Sequence, residues 1–170
     1  MRPALASAEQ PAGTGHLSAS VPAKVSRGRA LEVLGRGGRA GWLGDAVARE
    51  DARERERHQV DLELRVGEQM PSVTFRKAAY VDVGPARAQP AEAIQVPISW
   101  RAAGLAPLFP VFSGTLTWAD GRLSLDGYYA PPGGGLGIMA DRLLLNVAAR
   151  GTARLLLEKI ASAMLSEVAG

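Results

Sequence analysis

The C-terminal segment of the chain, from Tyr129 to Gly170, limits the fold more than any other part of its 170 residues. It opens with a Pro-Pro-Gly-Gly-Gly turn and then runs to the end without another proline, while apolar residues recur at three- and four-residue steps. This spacing predicts one amphipathic helix that begins near Leu136. At 1.5 Å per residue, about 30 helical residues would reach roughly 45 Å, which is long enough to cross a whole sheet.

The residues before this helix have the two-residue period of β-strands. Apolar and polar residues alternate, with glycine, proline and Asp-Gly turns between the stretches. We predict strands at 58–66, 72–83, 93–102, 111–119 and 122–129. Because each strand has one apolar and one polar face, the antiparallel sheet needs one cover, and the final helix provides it.

Two short motifs refine this sheet. Asp120-Gly121 lies between two alternating stretches and predicts a tight hairpin that pairs the last two strands. Pro97 lies inside the third stretch and has no backbone N–H to donate, so it predicts an edge position or a bulge there.

The N-terminal third divides into a tail, a strand and helices. Residues 1–15 are rich in Ala, Pro and Gly without periodicity, so we predict a disordered tail, followed by a single domain over residues 16–170. The domain begins with a short strand from His16, which Pro22 ends or confines to an edge. Two short helices are predicted next, over 27–34 with Ser26 as N-cap and over 42–55.

Composition excludes several functional classes. The chain has no cysteine and only two distant histidines, so we expect no disulfide and no metal site. The net charge is only +3 and the arginines are interspersed with acidic residues, which argues against nucleic-acid binding. No apolar run approaches the roughly 18 residues of a membrane span, and no secretory signal is recognisable, so we expect a cytoplasmic protein.

Three sequence stretches carry a resemblance to a known superfamily. They are Leu-Phe-Pro-Val-Phe-Ser-Gly-Thr-Leu at 108–116, Leu-Asp-Gly-Tyr-Tyr-Ala-Pro-Pro at 125–132, and Gly-Leu-Gly-Ile-Met-Ala-Asp-Arg-Leu at 135–143. With the order of the elements, they resemble the SRPBCC or START-like helix-grip superfamily, which includes lipid-transfer domains, pollen-allergen-like proteins and polyketide cyclases. The resemblance covers about residues 17–165.

The resemblance implies an α+β fold. In it, a curved antiparallel sheet wraps around the long C-terminal helix, and two short helices follow the first strand. It also implies a cavity between sheet and helix that often holds an apolar small molecule. Around such a cavity we place a set of ligand-binding candidates, for each of which ordinary core packing is the alternative: Tyr80, Trp100, Phe112, Trp118, Tyr129, Met139 and Leu143.

Three functions remain open at this point. The first is binding of a hydrophobic or amphipathic small molecule, without a cofactor and without catalytic residues. The second is an enzyme of the polyketide cyclase or dehydratase type, for which Lys77, Tyr80 and Tyr128 are the only polar groups we can offer. The third is a structural or interaction protein with a filled core, which forms a homodimer through an exposed strand edge.

Overall fold

The structure is a computed structural model that describes residues 15–36, 42–43, 46–47, 56–66, 73–104, 111–130 and 142–166. Its elements, in chain order, are β1 (Gly15–Pro22), α1 (Arg27–Gly35), β2 (Ala46–Val47), β3 (Glu56–Val66), β4 (Val73–Val83), β5 (Arg87–Ala88), a 3-10 turn (Pro90–Glu92), β6 (Ile94–Ala102), β7 (Val111–Ala119), β8 (Arg122–Ala130) and α2 (Arg142–Ser166). The predicted tail lies outside the described residues except for Gly15, which opens β1.

Eight strands form one antiparallel sheet in the order β1-β8-β7-β6-β4-β3-β2, with β5 beside β6. The long helix α2 lies close to β1 and β8 at one side of this sheet and close to β3 at the other. A single helix can approach both sides only if the sheet curves around it. The chain therefore has an α+β helix-grip fold, as the sequence analysis predicts.

The five predicted strands and the predicted hairpin are confirmed. β7 and β8 pair from Val111 opposite Ala130 to Ala119 opposite Arg122. The two turn residues between them, Asp120 and Gly121, both have positive φ, 50° and 70°. Two such residues are typical of the type I′ turn, whose twist matches that of the flanking strands.

The predicted bulge at Pro97 is confirmed, although its strand β6 lies inside the sheet and not at its edge. Val83 pairs with Ile98 and Arg87 pairs with Gln95, so three residues, 84–86, lie opposite two, 96–97. The Pro97 carbonyl still accepts a hydrogen bond from Gly84 N at 2.8 Å. The missing N–H of the proline thus falls where the neighbouring ladder is already interrupted.

One of the two helices predicted after the first strand is confirmed, and the other is wrong where the structure describes it. α1 begins after Ser26, whose hydroxyl accepts from Arg29 N at 3.2 Å. The second helix was predicted over 42–55, but Ala46–Val47 is the strand β2, paired with β3; residues 44–45 and 48–55 lie outside the described part. Apolar residues at 42, 43, 46 and 47 fit a helical face, and pairing with the edge of β3 overrides that weak preference.

The final helix buries one stripe of its surface. The buried residues recur at three- and four-residue steps: Ala149, Thr152, Ala153, Leu156, Leu157, Ile160, Ala161 and Met164. Val147, which the sequence placed on this face, is 37% exposed. Two residues turn a helix by about 200°, so a stripe that begins at Ala149 leaves Val147 on the opposite side.

α1 fixes the end of α2 through one arginine. Arg29 Nε donates to the carbonyl of Met164 at 3.3 Å, and Arg29 Nη2 donates to that of Ala163 at 3.5 Å. Carbonyls in the last turn of a helix lack intrahelical partners, and a cation there also suits the helix dipole. Arg29 Nη1 also donates to the Glu32 carboxylate at 2.9 Å. This hydrogen bond and the nearby charge of Arg36 both lower the pKa of the Glu32 carboxyl.

The inner face of the sheet, which faces α2, carries a transverse row of residues that lie opposite one another on neighbouring strands. We call it the inner row: His58, Val81, Trp100, Phe112 and Tyr129. All of its members are buried. The Trp100 and Phe112 rings stack with centroids 4.1 Å apart and an interplanar angle of 18°. The largest side chains thus stand on the middle strands, where the sheet is furthest from α2.

Two paired glycines make room for this stack. Gly114 on β7 lies opposite Gly127 on β8. A Cβ atom on Gly127 would lie 2.6 Å from Gly114 Cα and 2.8 Å from Phe112 Cζ, closer than real Cβ atoms come. Neither backbone atoms nor the stacked ring can move away cheaply, so both positions need glycine.

We expect Gly127→Ala to lower the free energy of unfolding by about 2–3 kcal/mol, since the added methyl overpacks the core. Gly28→Ala is the matched control, because Gly28 lies on α1 with nothing within 4 Å of its missing Cβ. The control is expected to raise stability by up to about 1 kcal/mol through helix propensity. Urea denaturation of the two variants checks this, and equal stability of Gly127→Ala and wild type would contradict the close approach of β7 and β8.

Candidate functional site

A pocket of about 290 Å³ lies between β3, α2 and the Trp42–Leu43 turn. Its lining consists of Trp42, Leu43, Val60, Asp61, Leu62, Thr152, Leu155, Leu156 and Lys159. Alternation along β3 turns Val60 and Leu62 toward the inner face, and the buried stripe of α2 brings Thr152 and Leu156 opposite them. The site is therefore a gap between β3 and the final helix.

The pocket lies beside the part of β3 that follows its pairing with β2. β2 pairs with β3 only at Arg57 and His58. From Gln59 onward, β3 has no other described strand on that side, and the pocket lies beside this stretch. The turn at Trp42 and Leu43, whose side chains are 1% and 2% exposed, forms the wall there.

Two polar atoms in the pocket wall are buried. Neither Trp42 Nε1 nor Thr152 Oγ1 has a hydrogen-bond partner in the described part of the chain. A hydroxyl inside a helix commonly bonds to the carbonyl four residues earlier, and Thr152 does not do so here. A buried polar atom without a partner costs about 1–3 kcal/mol, so the folded state carries this cost at two places in one wall.

Two of the lining residues are charged, Asp61 on β3 and Lys159 on α2, and both are exposed. Alternation along β3 turns the Asp61 side chain away from the inner face that Val60 and Leu62 share. The remaining lining residues are apolar or neutral. The pocket is partly open, and its described lining is mostly apolar.

The structure brings three of the predicted site residues together in the inner row, outside the lining of this pocket. Trp100 and Phe112 form the stack, and Tyr129 is the next member of the row on β8. These residues are 1%, 0% and 7% exposed. The Tyr129 ring lies over Gly15, where an added Cβ would collide with the ring and its hydroxyl oxygen. They are packed as core in this structure, and their role in ligand binding stays a prediction.

Trp118 and Tyr80 lie apart from that row. Trp118 is buried nearer the other end of β7, and its Nε1 donates to the carbonyl of Ala23 at 3.1 Å. Tyr80 lies on the outer face, with the guanidinium carbons of Arg57 and Arg101 at 5.3 and 5.5 Å from its ring centroid. The structure therefore does not gather the predicted aromatic set around one space.

The outer face around Tyr80 is a charged surface. Arg57 Nε and Nη2 donate to the two carboxylate oxygens of Asp82 at 2.7 and 2.9 Å. This pairing raises the pKa of the Arg57 guanidinium above its ordinary value. Tyr128 also lies on the outer face of the sheet and is 45% exposed.

The other predicted site residues fall on less described parts of the chain. Met139 lies outside the described residues, and Leu143 lies in α2 with its side chain outside them. The backbone of Lys77 pairs with that of Leu62, which lines the pocket, and the Lys77 side chain also lies outside them. Their roles stay predictions.

Sequence reasoning missed Trp42, Leu43 and Thr152 as site residues. The sequence analysis predicts that Trp42 and Leu43 belong to a helix. Two large apolar residues between Gly41 and Gly44 are also typical of a turn whose side chains pack into the core. Thr152 could have been found as a polar residue inside the apolar stripe of α2.

Metal-holding clusters and membrane-spanning helices are both absent from the described residues. Those residues contain no group of three or more His, Cys, Asp or Glu side chains that could hold a metal ion. No helix among them is long and apolar enough to cross a membrane.

Comparison with known proteins finds similarity only at the level of structure. No protein-family model matches the chain, and no curated protein matches it. It is similar to a STAR-related lipid transfer protein from Xanthomonas axonopodis, with 16% identity and a TM-score of 0.47 over 88% of this chain and 85% of that one. It is also similar to a conserved protein from Geobacillus kaustophilus, with 13% identity and a TM-score of 0.46 over 92% and 95%. At these values, neither alignment bears on what this chain binds.

We expect Thr152→Val to stabilise the ligand-free protein by about 1–2 kcal/mol, because it removes a buried hydroxyl without a partner and nearly keeps the shape. Ser124→Ala is the control, because Ser124 Oγ donates to the Thr117 carbonyl at 3.3 Å. The control is expected to cost about 0.5–1.5 kcal/mol. Thermal and urea unfolding measure both, and a destabilised Thr152→Val variant would show that the hydroxyl is bonded in solution.

Proposed function

We propose that this protein binds a small hydrophobic or amphipathic molecule in the pocket between β3, α2 and the Trp42–Leu43 turn, without transforming it. The observation that carries the proposal is a gap of about 290 Å³ between sheet and helix, with a mostly apolar lining in the described part of the chain. Ligand pockets usually range upward from about 300 Å³, so the expected ligand is small.

Hydrophobic burial supplies the affinity in this proposal. Each buried methylene contributes about 0.8 kcal/mol, so eight of them would give roughly 6 kcal/mol before the costs of immobilisation. Leu43, Val60 and Leu156 provide the walls for such a group. The affinity expected from these terms is modest, in the micromolar to millimolar range.

Binding is favoured over chemistry by where the polar groups lie. The enzyme alternative requires two polar groups that converge inside the pocket. Tyr80 and Tyr128, two of its three candidates, lie on the outer face. Trp42 and Thr152 line the pocket, and an indole N–H and an unassisted hydroxyl are poor acids and bases near neutral pH. Cytoplasmic location and the homodimer stay predictions.

The pocket can be blocked from α2. Leu155 is half-buried and lines the pocket, and we expect Leu155→Trp to fill it. Leu165→Trp is the matched control, because Leu165 lies on the same helix and is 50% exposed. We expect wild type and the control to bind added toluene with similar affinity, and the blocked variant to bind it at least about tenfold more weakly. Any compound that stays bound through purification is expected to follow the same order.

Native mass spectrometry measures the retained fraction, and organic extraction identifies the compound. Toluene, titrated and followed by amide NMR shifts at Val60 and Thr152, provides a second measurement for an empty preparation. A wild-type protein that carries nothing and also shows no toluene shifts at these residues would refute the proposal and favour a filled core with an interaction role.

A further inference from the structure

Two of the residues that line the pocket, Trp42 and Thr152, each carry a buried polar atom that a purely apolar ligand would leave unsatisfied. Trp42 Nε1 can only donate a hydrogen bond, and Thr152 Oγ1 can donate or accept one. Both residues line the pocket, both are 1% exposed, and neither atom has a partner in the described part of the chain. Trp42 Nε1 therefore needs a hydrogen-bond acceptor, and Thr152 Oγ1 can use one as well.

The Thr152 hydroxyl can be presented to the pocket by a small movement. A threonine in a helix occupies two χ1 rotamers at comparable cost, and the change exchanges its hydroxyl and methyl groups. Thr152 makes no hydrogen bond that would hold it in one rotamer in the described structure. A ligand oxygen can therefore recruit the hydroxyl without displacing the backbone of α2.

The charges of the pocket limit the ligand to a neutral group at its buried end. Among the nine described lining residues, only Asp61 and Lys159 are charged, and both are exposed while Trp42 and Thr152 are buried. A carboxylate or ammonium group placed beside Trp42 and Thr152 would be buried without a compensating charge, which is costly. A neutral carbonyl oxygen needs only a donor.

We propose that the pocket selects a small neutral molecule with a hydrogen-bond-accepting oxygen, such as a ketone or an ester. The oxygen accepts from Trp42 Nε1–H, Thr152 Oγ1–H or both, and the apolar body lies against Leu43, Val60 and Leu156. This assignment rests on the proposed function and adds the chemical class to it.

Three probes of nearly equal size and shape test the assignment: acetophenone, which has a neutral carbonyl oxygen, cumene, which has a methyl in its place, and benzoate, which carries a charge. Their dissociation constants are measured on wild type, Thr152→Val and Trp42→Phe at neutral pH. We expect at least one of the two substitutions to weaken acetophenone by about tenfold through loss of one hydrogen bond, and both to leave cumene within about twofold. Benzoate is expected to bind wild type at least about tenfold more weakly than acetophenone.

The indole N–H signals give a measurement that needs no variant. In ¹H–¹⁵N spectra of wild type, we expect acetophenone to shift the Trp42 signal further than cumene does, because only acetophenone accepts its proton. Trp118 is the internal control, since its Nε1 already donates to Ala23. Trp100 is a second one, because it does not line the pocket.

The outcomes separate this assignment from the proposed function. If cumene and acetophenone both bind and neither the two variants nor the Trp42 signal distinguish them, the protein binds small apolar molecules and the assignment is wrong. If benzoate binds as tightly as acetophenone, the neutral class is wrong. If none of the probes binds wild type, both the assignment and the function proposed for this pocket fail.

Discussion

The contact of one helix with both sides of a curved sheet is the constraint on which the rest of the structure depends. α2 lies close to β1 and β8 at one side and to β3 at the other. A flat sheet could not provide both contacts. The curvature is accompanied by two local features: the bulge at 84–86 opposite Pro97, and the close approach of β7 and β8 at the Gly114–Gly127 pair. Bulges and close-set glycines are the usual means of bending a sheet.

Curvature also decides where large and small side chains belong. The middle strands are furthest from α2, and they carry the Trp100–Phe112 stack. These buried rings occupy part of the space that curvature opens. On β3, where α2 comes close again, the inner face has the smaller Val60 and Leu62. The described pocket lies there, between β3 and α2.

The sequence predicts the fold well because the fold rests on periodicity. Alternation along the strands, Asp120-Gly121 and the stripe of α2 are local signals, and each is confirmed where the structure describes it. The helix predicted over 42–55 was wrong at Ala46–Val47 because the stabilising partner of that segment, the edge of β3, is distant in sequence. The position of the pocket also depends on segments that are distant in sequence, β3 and α2. Alternation identifies Trp100 and Phe112 as inward-facing, and the register between β6 and β7 shows that they stack on each other.

The two unpartnered atoms separate a built site from a packing defect. A defect left by imperfect packing would be lined by whatever apolar side chains failed to meet, and valine in place of Thr152 would serve such a wall better. Trp100 Nε1 is also buried without a partner in the described part of the chain, so one such atom is not diagnostic by itself. Trp42 and Thr152 differ from Trp100 in being on opposite elements that meet at one pocket. The free-energy costs of burying these two unpartnered atoms add, and nothing within the described chain offsets them. The proposed ligand accounts for them, because its oxygen would accept the missing hydrogen bond.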